Sequence, residues 1–105
     1  MTITATQSNA QETTRVAQGS HADDAASPAA ISVTVGFTPR YVQCVNQTTR
    51  VGYEWYEGMT AAHAIKTAAA GTRTAETSGG ITVSGGTITM PAPAQNDVVR
   101  WVARS

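Results

Sequence analysis

The sequence predicts an all-β protein: a small antiparallel β-sandwich or jelly-roll-like barrel with an extended N-terminal arm. Three observations predict it. From residue 30 onward, apolar and polar residues alternate in short runs. Those runs are filled with Val, Ile, Thr, Tyr and Trp, and Gly, Pro and Asn fall between them at roughly 8–12-residue spacing. Nothing alternates strand with long helix as an α/β fold would.

The elements follow in order. Residues 1–29 are rich in Ala, Thr, Gln, Ser and Asp and hold no aromatic residue. They read as an N-terminal arm or linker, in which "TITATQ" alternates as a strand would and "GSHADDAASPAA" reads as loop. Residues 30–105 read as the β-domain. "AISVTVGF" puts Ile31, Val33 and Val35 on one face and Ser32 and Thr34 on the other. "PRYVQCVN" follows as a strand after "FTP". "VGYEWYE" is the third candidate, with Tyr53 and Trp55 on one face and Glu54 and Tyr56 on the other. "GMTAAHAIKTAAAGT" fits two readings: a short helix ended by Gly71, or a loop followed by a strand at "AIKTAA". "GITVSGGTITM" is a hairpin signal, because glycine supplies the positive φ of a tight turn. "DVVRWVAR" closes the chain, with Val99 and Trp101 on one face and Val98, Arg100, Val102 and Arg104 on the other.

Composition narrows function. The chain has 105 residues, and 13% are charged, about half the usual ~25% of a soluble domain. Seven basic and seven acidic residues balance, so composition offers no basic face for nucleic acid. No apolar run approaches the roughly 18 residues of a membrane span. "MTITATQSNAQETTRVAQ" lacks the basic start and apolar core of a signal peptide. A domain of about 75 residues rarely draws more than about 3–5 kcal/mol from its core. One cysteine, Cys44, excludes an intrachain disulfide. Oligomerisation, or docking on a larger surface, is the remaining common support.

Chemistry-bearing patterns are sparse. Cys44 in "YVQCVN" reads as a small buried hydrophobe. Glu54 and Glu57 are three apart, which on a strand sends them to opposite faces. His21, His63 and Cys44 give none of the close spacings of a structural zinc site, so no metal or cofactor is expected. "SGGITVSGG" lacks the GK[ST] ending of a phosphate loop. "NQT" at Asn46–Thr48 reads as a polar turn. An enzyme would have to assemble distant residues around Cys44, His63 and Glu54, and the expectation is no catalytic residue. Tyr53, Trp55 and Tyr56 have two readings: packing across a sheet or a carbohydrate platform.

The order "VTVGFTPRYVQCVNQTTRVGYEWYEGM", then "GTRTAETSGGITVSGGTITM", then terminal "VVRWVARS", resembles small structural proteins of tailed bacteriophages. "GFTPRYV", "EWYEGM", "SGGI" and the tryptophan-bearing last strand carry the resemblance, over about three quarters of the chain. It implies a capsid decoration (cement) protein, a homotrimer on the virion exterior that bridges subunits of the major capsid protein. The alternative it implies is a tail-fibre or head-fibre receptor-binding module. It supplies no catalytic residues. Contacts are expected from segment 1–28, with Ile3, Thr4 and Val16 as anchors, and from Tyr56 and Met59 at a subunit boundary. Neither nucleic acid nor membrane is an expected partner.

Overall fold

The computed structural model describes residues 15–105. Eight strands run β1 (Val16–Ala22), β2 (Ile31–Thr34), β3 (Tyr41–Asn46), β4 (Val51–Tyr56), β5 (His63–Thr67), β6 (Arg73–Ser84), β7 (Thr87–Met90) and β8 (Val98–Arg104). They form one sheet in the order β1-β8-β3-β4-β5-β6-β7-β2, with every pair antiparallel. The sheet curls into a nearly closed, barrel-like shape, and the described residues contain no helix. Accordingly, none of these residues forms a helix long and apolar enough to cross a membrane.

Alternation decides which side of the sheet is dry. Ile31, Val42, Cys44, Trp55, Ile81, Ile88, Met90, Val99 and Ala103 form one buried cluster. Its members come from both ends of the strand order, so the core lies between the two halves of the curled sheet. Completely burying side chains such as Ile81, Ile88, Met90 and Val42 is worth roughly 1.5–3 kcal/mol each.

Two turns show how local sequence sets the register. In the β6–β7 hairpin Ser84 pairs with Thr87, so Gly85 and Gly86 form a two-residue loop. Gly85 has φ 56°, the positive value the first position of such a loop requires. In the β3–β4 turn the Asn46 side-chain oxygen accepts hydrogen bonds from the backbone N–H groups of Thr48 and Thr49, both at 3.0 Å. This Asx arrangement is the polar turn expected at "NQT".

β6 joins the halves. Its first residues, Arg73 to Glu76, pair with β5, and Thr82 to Ser84 pair with β7. Between them the register shifts at His63/Ala64, so that His63 faces Ile81 while Ala64 faces Glu76. Such a bulge bends the strand and turns it into the second half of the sheet. A Cβ on Gly80 would lie 2.7 Å from the Ala62 carbonyl oxygen and from backbone atoms of His63, so only glycine lets the strands approach this closely.

One open reading is settled and one expectation changes. The stretch after Met59 is a loop followed by strand β5, not a helix. Its pairing with both β4 and β6 settles a segment whose alanines give no period of their own. Residues 19–22, read as the start of a loop, belong to β1. Their small side chains hide the pattern, but Ala17, Gly19 and His21 alternate toward the inner face opposite Ala103, Trp101 and Val99. A Cβ on Gly19 would meet the Trp101 ring at 2.8 Å, so this glycine is the bed on which the indole lies.

Candidate functional site

Strand β4 divides its aromatic residues as alternation requires. Trp55 is 7% exposed, and Tyr53 packs against the same cluster. Glu54 and Tyr56 face outward. There the Tyr56 hydroxyl donates to Glu54 Oε2 at 2.7 Å, and Arg73 Nη2 donates to Glu54 Oε1 at 3.4 Å. The hydrogen bond to Glu54 stabilises the neutral phenol and raises the Tyr56 pKa above its ordinary value.

The β3–β4 register brings Tyr41 opposite Tyr56, with ring centroids 5.2 Å apart and planes tilted by 56°. Arg104 on β8, also opposite Tyr41, lays its guanidinium 4.5 Å from the Tyr41 ring centroid. Val16 on β1 faces Arg104 from the other side. One row, Val16–Arg104–Tyr41–Tyr56, thus crosses four strands on the outer face. The sequence alone does not single out Tyr41, although it carries a signal: alternation in "YVQCVN" puts Tyr41, Gln43 and Val45 opposite the Cys44 face.

A concave feature lies on the inner side, at the end of the sheet near the β3–β4 turn and the Pro91–Ala94 loop. It is a cleft of about 290 Å³ whose lining includes Cys44, Tyr53, Lys66, Pro91, Pro93 and Asp97. Asp97 is 6% exposed, and its Oδ2 accepts from Asn46 Nδ2 at 2.8 Å and from the Ala94 N–H at 3.1 Å. The carboxylate therefore holds the loop against the sheet. Sequence reasoning misses Asp97, because nothing local links it to Asn46 fifty-one residues away.

Cys44 has the environment of a packed side chain. Burial pushes its thiol up to about 12, so it carries almost no thiolate near neutral pH. Its side chain faces inward, whereas Glu54 on the adjacent strand faces outward, so the sheet itself separates these two members of the Cys44, His63 and Glu54 set. Among the described residues no three His, Cys, Asp or Glu side chains gather as metal ligands would.

Of the expected contact residues, Ile3 and Thr4 lie outside the described residues. Val16 is 56% exposed and Tyr56 47%. Met59 packs against the core cluster, and its Sδ accepts the Tyr56 N–H at 3.2 Å. Comparison with protein-family models, with curated proteins and with solved structures finds no match to this chain.

Proposed function

We propose that this is a structural attachment protein of a tailed-phage virion, a decoration protein that binds the outer capsid surface and bridges major capsid subunits. One observation carries the reading. The half of the sheet built from β1, β8, β3 and β4 turns one side to the core and, among the described residues, leaves its other side open, while the one cysteine is engaged in packing. A small domain with a broad open face is suited to adding surface to a larger assembly. Binding that favours the assembled shell over free subunits stabilises the shell by linkage, and many copies on one lattice add avidity. A homotrimer, with the residues before β1 reaching to neighbouring subunits, belongs to the same proposal.

The fibre-module alternative needs Tyr53, Trp55 and Tyr56 exposed together as a glycan platform. Only Tyr56 is exposed, which favours attachment over glycan binding. The test mixes purified protein with capsids assembled without it. Co-sedimentation and a higher capsid disruption temperature are the expected results. Absence of both overturns the reading.

A further inference from the structure

We infer that the outer face of β1, β8, β3 and β4 is the docking surface, and that its partner is an acidic protein surface presenting carboxylates around an apolar side chain. The inference rests on the attachment reading above and names the face and the chemistry that would carry it.

Three observations converge. First, the large hydrophobic residues that stay exposed among the described residues, Val16, Val45 and Tyr56, all lie on this one face. Chance would scatter them; a concentration on one side marks an interaction surface. Second, the face carries the residue types that anchor protein interfaces, Tyr and Arg, already held in position. The Tyr41 hydroxyl donates to Gln43 at 3.1 Å, Arg104 lies over Tyr41, and Arg100 Nε donates to Gln47 Oε1 at 2.7 Å. Side chains held this way lose less entropy on binding.

Third, the charge on this face is unbalanced. Glu54 is matched by Arg73, and nearby Glu57 by Arg40, each at 3.4 Å. Arg100 and Arg104 rest instead on neutral groups, with no carboxylate within 4.0 Å among the described residues. Among the described residues, two oriented guanidiniums without a carboxylate partner therefore lie on one strand of a chain whose charge balances overall. Beside them a shallow groove of about 200 Å³ is lined by Gln43, Val45, Arg100, Trp101 and Val102. An apolar side chain of the partner fits the groove, and carboxylates on either side of it meet the two arginines in forked geometry. A second copy of this face would bring arginines against arginines, which argues against self-pairing through the same row.

The test uses capsids assembled without the protein and three forms of it: wild type, the Arg100→Glu/Arg104→Glu pair, and the Arg100→Lys/Arg104→Lys pair. Thermal melting establishes that each form folds. The wild type should co-sediment, and its binding should weaken as salt rises from ~0.1 to 1 M, where the Debye length falls from about 10 to 3 Å. Charge reversal should weaken binding at least about thirtyfold, and the lysine pair, which loses the fork but keeps the charge, should weaken it clearly less, because like charges set against a partner cost far more than a lost fork. Equal binding by wild type and the glutamate pair overturns the inference and leaves the attachment reading standing. Failure of the wild type to bind overturns the attachment reading, and this inference with it. If reversal instead changes the size of a self-assembled oligomer without changing capsid binding, the face joins copies of this chain and the acidic partner is refuted.

Discussion

Replacing Gly80 with alanine should be among the most damaging single-methyl changes in this protein. The added Cβ would lie 2.7 Å from the Ala62 carbonyl oxygen and from the His63 carbonyl group, all backbone atoms that no rotamer change can move aside. Relief requires the β5 and β6 backbones to separate at the corner of the sheet. Forced overpacking of this kind costs roughly 1–3 kcal/mol. The same separation stretches the hydrogen bonds from Gly80 N–H to Ala62 at 2.7 Å and from Ala62 N–H to Ile81 at 3.1 Å. Each is worth about 0.5–1.5 kcal/mol. The total, about 2–6 kcal/mol, is a large part of the ~5–15 kcal/mol that holds a typical domain together. At about 4–8 °C per kcal/mol for a domain near this size, the melting temperature should fall by at least ~8 °C. Gly79→Ala is the internal comparison. Gly79 has φ 69°, and a methyl added there would have nothing within 4 Å, so alanine meets only the left-handed backbone cost of roughly 1–2 kcal/mol. Thermal and urea unfolding of both variants, followed by tryptophan fluorescence, decides the matter. A Gly80→Ala melting temperature within about 2 °C of wild type, or a smaller loss than for Gly79→Ala, refutes the reasoning.

Other outcomes follow from the same geometry. Asp97→Ala leaves the Asn46 amide and the Ala94 N–H without their acceptor, and should cost about 2–4 kcal/mol in urea unfolding. Cys44 should resist a thiol reagent at pH 8 in the folded protein and react promptly in denaturant, since burial holds its pKa near 12. The sign for stability is fixed by that direction: the folded thiol binds its proton more tightly than the unfolded one, whose ordinary value is 9.0. Its contribution is complete below pH 9 and is lost as pH climbs toward 12, so wild type should lose more stability across that window than Cys44→Ala. Gly19→Ala drives a methyl into the Trp101 ring, which should move the indole and shift its fluorescence, with a smaller stability loss than Gly80→Ala because a side chain yields more readily than backbone.

Strands β2, β3, β4, β7 and β8 are legible in the sequence because each places Val, Ile, Trp or Tyr in strict alternation, and the Gly85–Gly86 turn because only glycine suits it. β1 is hidden, since alternation among Ala, Gly, Ser and Gln carries little hydrophobic contrast and only the facing Trp101 reveals its purpose. The β6 bend is hidden for another reason: a bulge is a relation between two strands, and neither Gly80 nor His63 announces it alone. The inward course of Trp55 and the outward course of Tyr56 can be read from spacing. The Tyr41–Tyr56–Arg104 row and the Asp97–Asn46 hydrogen bond cannot, because both depend on which strands become neighbours.

β6 also governs how the molecule comes apart. A sandwich made from two separate sheets can in principle lose one and keep the other. Here a single continuous strand is a member of both halves, so opening the β7–β2 half pulls on the same backbone that edges β5. The two halves are therefore mechanically one cooperative unit. Slow-exchanging amides on either side of Gly80 should exchange together, with one opening free energy, while the amides of edge strand β1 exchange earlier.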